Sequence, residues 1–246
     1  MLNIMIFGGL GRTAEPIIEL LGTEKHNVTV FDISAKNPYF DDNIKVINGD
    51  ICINEVVNNA LRGIDIVVHL AVSTTAPKDD EVSFRTNVYG TYNIMYNSML
   101  NKVSKILVAS SAPVHNADKL TGMDDYCCSA EDDFVYDLTK SLQETMAQHF
   151  SRTFSMNCLV LRLGHIVDGK RKTTLSGSPL SGLSYCNGGW VCKYDVAKSF
   201  VKAIETDFSG YHVINVIGSH QSTDLFNLAP AKNLLSFECD EKFLDW

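Results

Sequence analysis

Tyr136 and Lys140 stand four residues apart in the stretch DFVYDLTKSLQE, which runs from Asp133 to Glu144. On a helix that step puts both side chains on one face, one turn apart. A free tyrosine ionises near about pH 10, too high for a good base at neutral pH. A neighbouring ammonium favours the phenolate, which can then accept a hydroxyl proton as a general base. Taken alone, the same residues serve as a packing aromatic and a solvated lysine paired with Glu144. The chemistry depends on what the rest of the chain brings to them.

A second group lies near the N-terminus, in IFGGLGRTA. Gly8, Gly11 and Ala14 make a G-x-x-G-x-x-A pattern, with Leu10 and Arg12 in the same loop. The first glycine permits a tight turn, the second a close backbone approach to a pyrophosphate, and the small third residue close helix packing. The helix start then turns free N–H groups toward phosphate. Asp32 follows about 20 residues on, where a carboxylate accepts hydrogen bonds from adenosine ribose hydroxyls and repels a 2′-phosphate. That favours NAD over NADP, although Arg12 and Lys36 could reach a 2′-phosphate. An aspartate before a turn is also an ordinary cap.

These groups need a scaffold. NIMIF, NVTVFD, IKVIN, DIVVHLA, KILVAS, NCLVLRL and YHVINVI read as strands, apolar almost throughout, as in a sheet covered on both faces. Helical patterns fall between them at Thr13–Leu21, Asn54–Leu61, Val82–Leu100, Tyr136–Phe154 and Tyr194–Glu205. The alternation predicts an α/β fold, a Rossmann-like doubly wound parallel sheet with right-handed crossovers. The chain, 1–246, reads as a single domain with a small C-terminal substrate-binding region. Asp168–Gly189 lacks periodicity and reads as a loop, and a substrate-binding loop is expected within about 165–192.

Composition narrows the function. The net charge of −8 argues against sequence-independent nucleic-acid binding. No apolar run approaches the roughly 20 residues that span a bilayer. The seven cysteines include no C-x-x-C pair, so reduced thiols in the cytoplasm are expected, and no metal site.

With these features on the page, the chain resembles the extended short-chain dehydrogenase/reductases, the NAD-dependent epimerase/dehydratase group. The resemblance runs from Met1 to about Gly218 and keeps the family order. It carries FGGLGRTA to the cofactor loop and INGDI to the segment that sets Asp50 and Ile51 beside adenine. It carries DIVVHLA to the fourth strand, with Leu70 and Ala71 beside the cofactor, and NVYGTYNI to the helix asparagine, Asn87. VASSAPVH supplies Ser111 as the catalytic serine, and YDLTK is the Y-x-x-x-K motif of Tyr136 and Lys140. LRLGHIVDG and WVCKYDVAKSF resemble the sixth-strand segment and a late helix start. The resemblance implies that Tyr136 exchanges a proton with a substrate oxygen, that Ser111 hydrogen-bonds the same oxygen, and that Lys140 also bonds the nicotinamide ribose.

The match departs from nucleotide-sugar members where RLGHIVDG has His165 for an asparagine, Val167 for a tyrosine and Asp168 for a glycine. His165 is either a substrate contact or a partly buried histidine bonded to backbone. Ser73 and Thr74 either line a polar pocket or are ordinary loop hydroxyls. The leading expectation is an NAD-dependent oxidoreductase acting on a hydroxyl or ketone of a small, polar, sugar-like molecule. The alternatives are a nucleotide-sugar epimerase or dehydratase that recycles NAD, and a non-catalytic dinucleotide-binding regulator. A homodimer is expected from the family's habit of pairing through two long helices, here with Val88, Tyr92, Met95, Tyr96 and Met99 at helical spacing.

Overall fold

The structure is a computed structural model; it describes residues 1–22, 25–34, 44–73, 80–112, 134–180 and 189–243. Strands β1 (Asn3–Phe7), β2 (Asn27–Asp32), β3 (Lys45–Asn48), β4 (Ile66–His69), β5 (Lys105–Ser111), β6 (Asn157–Leu163) and β10 (Tyr211–Val216) form one parallel sheet. Their order is β10-β6-β5-β4-β1-β2-β3, so the chain reverses its direction of winding between β1 and β4. In such sheets the carboxyl ends at the reversal leave a crevice between diverging loops.

The strand period is visible in what each residue buries. Ile4, Ile6, Val28, Val30, Val68, Leu107 and Leu159 face one cluster, packed under helices α1 (Ala14–Leu21) and α6 (Lys193–Glu205). Met5, Phe7, Val67, Ile106, Val108, Cys158 and Val160 face the other. Helices α2 (Asn54–Ala60), α4 (Thr91–Leu100) and α5 (Phe134–Phe154) cover that second face. Neighbours in sequence thus enter opposite cores, which explains the unbroken apolar runs. Lys105, 7 % exposed, fixes the end of α6 by donating to the carbonyls of Ala203, Ile204 and Thr206 at 2.6–3.1 Å.

Two expectations need correction. The helix expected over Val82–Leu100 is three pieces: α3 (Asp80–Ser83), a π-helix (Phe84–Gly90) and α4. Asn87 and Gly90 make the widened turn useful. Asn87 is wholly buried and reaches across to Ser73 and Thr139, and a Cβ on Gly90 would sit 2.5 Å from Ile51. Asp168–Gly189 is not simply a loop. Strands β7 (His165–Asp168), β8 (Thr173–Thr174) and β9 (Trp190–Cys192) make a small sheet in the order β8-β7-β9, and Leu180 is buried. Residues 181–188 lie outside the described residues.

Beyond β10 the chain forms α7 (Ser222–Leu225) and α8 (Ala229–Leu235), then returns to the small sheet. Phe243 meets Trp190 edge to face at 5.8 Å between ring centroids. Asp195, at the start of α6, accepts the backbone N–H groups of Asp240 and Glu241 at 3.1 and 3.0 Å. Among the described residues, no helix is long and apolar enough to cross a membrane.

Candidate active site

The glycine loop sits at the winding reversal. Gly8 follows β1 with φ +77°, and its N–H donates to the Phe31 carbonyl at 2.8 Å. A Cβ on Gly8 would lie 2.6 Å from the backbone of Ala71, just past β4. The two strand ends therefore touch backbone to backbone, and only glycine fits between them. Leu70 donates to the Phe7 carbonyl at 2.9 Å and is buried, holding the β4 exit against β1. Gly11 donates back to the Gly8 carbonyl at 3.1 Å, and Ala14 to the Gly11 carbonyl at 3.0 Å, which turns the chain into α1. Arg12 is exposed at the loop's rim.

Asp32 ties this loop to β2. One carboxylate oxygen accepts the Leu10 N–H at 3.0 Å and the other the Ser34 N–H at 2.9 Å. Asp32 is only half-buried, and each oxygen has capacity for a further donor. The glycine cradle and this acid at the winding reversal fit a dinucleotide. Asp50 accepts the Cys52 N–H at 2.8 Å and faces Arg85 at 3.8 Å. Ile51 turns its side chain into the core beneath Gly90, and its carbonyl accepts from Asn93 at 3.0 Å.

Asn87 joins the loop after β4 to α5. It accepts the Ser73 N–H at 2.7 Å and donates to the Ser73 carbonyl at 3.2 Å and the Thr139 hydroxyl at 3.0 Å. Thr74 lies outside the described residues. Tyr136 is half-buried in the first turn of α5, and Lys140 is 3 % exposed one turn on. The Lys140 ammonium donates to the Ala109 carbonyl of β5 at 2.8 Å and lies 5.8 Å from the centre of the Tyr136 ring. Burial pulls Lys140 down from its ordinary 10.5 to about 8, against the opposing pull of the Glu144 charge. Ser111 ends β5, two residues past that carbonyl, and is half-buried.

Behind these residues lies a buried polar network that the sequence did not disclose. The Thr91 hydroxyl donates to the Asn87 carbonyl at 2.6 Å and accepts from Gln143 at 2.8 Å. Its one proton is thereby committed, so His69 Nε2, 2.8 Å away, must carry a hydrogen and donate to it. Burial, with the Lys140 charge adding to it, lowers His69 to about 3, which keeps the ring neutral. Glu144 is a second omission. It accepts from Ser110 at 2.5 Å and from Arg162 at 2.9 and 3.1 Å. Buried polar residues follow no period, and the four-residue step from Lys140 to Glu144 was the one available signal.

His165 stands apart from this group, on β7 of the small sheet. Its N–H donates to the Gly189 carbonyl at 2.8 Å, and burial lowers its pKa. Among the described residues, no cluster of three His, Cys, Asp or Glu side chains is arranged to hold a metal ion.

The chain is similar to several known proteins. The human sterol-4-alpha-carboxylate 3-dehydrogenase, decarboxylating, is 28 % identical over 141 residues, which are 56 % of this chain and 37 % of that protein. This chain thus matches little more than a third of that relative's length. The L-arabinose 1-dehydrogenase (NAD(P)(+)) of Haloferax volcanii is 21 % identical over 217 residues, 83 % of each chain. A solved mutated uronate dehydrogenase superposes with a TM-score of 0.77 at 19 % identity, covering 100 % of this chain and 84 % of that one, a likeness of fold. The model of the NAD dependent epimerase/dehydratase family matches residues 4–177, from β1 through the glycine cradle, the Tyr136–Lys140 helix and β8, and the chain belongs to that family.

Proposed function

We propose that this protein is an NAD-dependent oxidoreductase that moves a hydride between the cofactor and a hydroxyl or ketone carbon of a small, polar, sugar-like molecule. One observation carries the reading: Lys140, buried beside Tyr136 at the carboxyl edge of the sheet, with its ammonium on the Ala109 carbonyl. A buried cation next to a half-buried phenol supports proton transfer near neutral pH.

NAD, when bound, supplies the hydride acceptor. The chain's own residues do the rest. The Gly8–Gly11 loop and the start of α1 hold the pyrophosphate, with Leu10 and Arg12 at its sides. The free lone pairs of Asp32 take the adenosine ribose hydroxyls, which favours NAD over NADP. Asp50 and the backbone of Ile51 would border the adenine, and Leu70, Ala71 and Asn87 would shape the floor of the crevice. Tyr136 takes the proton from the substrate hydroxyl, Ser111 hydrogen-bonds the same oxygen, and Lys140 holds the nicotinamide ribose and favours the phenolate.

We assign Ser73 to the substrate side. We place the substrate-binding region on the small sheet that begins at His165, within a single domain. The names of two relatives, an arabinose and a uronate dehydrogenase, support a sugar-like substrate. A homodimer through α4 and α5 is supported by Tyr89 and Tyr92, 48 % and 42 % exposed and stacked at 6.5 Å. Met95 belongs to the core and drops out of that face. Buried free thiols at Cys52, Cys158, Cys192 and Cys239 agree with a reducing, cytoplasmic setting.

The test is a panel of free sugars, sugar acids and nucleotide sugars, read at the NADH absorbance band. Net NADH with a free sugar or sugar acid is expected. Turnover of a nucleotide sugar with no net NADH would replace this reading by an epimerase. Tyr136→Phe removes one oxygen and should cut turnover by roughly 10²–10⁴ while NAD affinity holds. A fully active Tyr136→Phe protein would refute the assignment.

A further inference from the structure

Lys140 has a problem that the bond to Ala109 does not solve. A carbonyl dipole is a weak partner for an ammonium that is 3 % exposed, and burial favours its neutral form. An uncharged lysine would no longer favour the phenolate of Tyr136. The charged and titratable groups around it, among the described residues, can be named element by element. Tyr136, Asp137 and Glu144 lie on α5 itself, His69 faces it from β4, Arg162 comes from β6 behind Glu144, and Tyr211 comes from β10. His69 is neutral and Tyr211 is pushed up to about 12, so neither carries charge near neutrality. Of the two carboxylates on α5 near it, Glu144 is the one whose charge raises Lys140.

Glu144 is itself 4 % exposed and would be costly to ionise alone. It is held ionised by the Arg162 guanidinium, which grips its two oxygens at 2.9 and 3.1 Å, and by the Ser110 hydroxyl. Arg162 stays protonated at every working pH. The Arg162 side chain is 11 % exposed, so little water screens the group. Both holders stand on adjacent strands, in register: Ser110 pairs with Arg162 across β5 and β6.

We propose that the buried Arg162–Glu144 pair is an electrostatic support beneath Lys140, which keeps its ammonium charged and thereby sets the pH range in which Tyr136 can act. Glu144 and Arg162 are positioning residues in this account; neither touches the reacting atoms. The proposal rests on the catalytic reading of Tyr136 and Lys140 for its functional consequence, and on burial, the one-turn spacing of Lys140 and Glu144 and the Arg162 grip for the charge of Lys140.

The experiment follows Lys140 directly in the cofactor-free protein. Lysines carrying ¹³C at Cε are titrated by NMR, with the Lys140 signal assigned by its absence in Lys140→Met. Glu144→Gln keeps the shape and removes the charge. The Lys140 midpoint should fall by about one unit or more, since an opposite charge within one helical turn is removed in a dry site. The acid limb of the turnover profile should move to higher pH, because the phenol loses its cation over that range. If Glu144→Gln fails to fold, the double variant Glu144→Gln, Arg162→Met removes both charges and leaves no buried guanidinium unpaired. Its midpoint should also fall. An unmoved midpoint in the folded variant overturns the proposal, even where kcat or melting temperature drops. A shifted midpoint together with an active Tyr136→Phe protein would keep the support and remove the catalytic role above it.

Discussion

Asp32 and Asp195 make the same bonds for different ends. Each offers two carboxylate oxygens, and each oxygen accepts one backbone N–H; both donors to Asp195 come from a distant segment, and one of the two to Asp32 does. Asp195 is 2 % exposed, and the segment it holds closes over it. Burial pushes its carboxyl up while the two backbone donors pull it back. Asp32 is half-buried at the mouth of the crevice, and each of its oxygens has capacity for a second donor. One acid is a finished joint and the other an unfinished one. The number of bonds does not separate structure from binding; what separates them is the room left around the carboxylate.

That contrast can be broken at three places. The largest effect is expected at Gly8, where the crevice side depends on a contact with no space in it. Gly8→Val puts a branched side chain 2.6 Å from the Ala71 backbone at a φ of +77°. It should cost about 3–5 kcal/mol and abolish dinucleotide binding, as read by urea unfolding and by calorimetry. A stable variant that still binds NAD would show that the cradle is not where the pyrophosphate sits.

The second effect concerns acid stability. His69 is held from 6.5 down to about 3 in the folded chain, so the unfolded chain gains a proton first as pH falls. Stability is then whole above about pH 6.5 and is lost progressively toward pH 3. His69→Gln keeps a donor for Thr91 and cannot charge. At pH 4.5 the wild type should have lost about 3 kcal/mol through this group, a loss the variant escapes. Parallel stability curves for the two proteins between pH 7 and 4.5 would show that His69 is protonated in the fold.

The smallest of the three lies on the sealed side. Asp195→Ala removes the acceptor for Asp240 and Glu241 and should cost about 1–3 kcal/mol. Amide exchange should quicken at those two residues and at Phe243 while NAD affinity holds. A matching loss of NAD affinity would mean that the two joints are not independent.

Much of this was legible before any coordinates. The strands announced themselves because the apolar residues of β1, β4 and β6 enter the two cores by turns, which leaves long apolar runs. Gly8, Asp32, Tyr136 and Lys140 were legible because their spacing is set by a turn, a strand and one helical step. The small sheet was not, since strands of two to four residues leave too little pattern to read. Nor was the clamp on Asp195, whose partners are backbone groups 45 and 46 residues away. The network of His69, Thr91 and Gln143 was missed because polar residues facing inward look like polar residues facing out.

The π-helix from Phe84 to Gly90 has a consequence for insertions and deletions. A π-turn is closed by bonds to the fifth residue back instead of the fourth, so the segment accommodates more chain per turn than its α-helical flanks. Deleting one residue between Arg85 and Tyr89 would let an ordinary helix form without a break, a locally easier structure. The flanks would keep their phase, but the widened turn that carries Asn87 inward would be lost. Asn87 and Thr91 could no longer meet Ser73 and His69 at once. The chain should therefore accept length changes in the stretch after Asp168 far more readily than here, where one residue is the difference between a connected floor and a severed one.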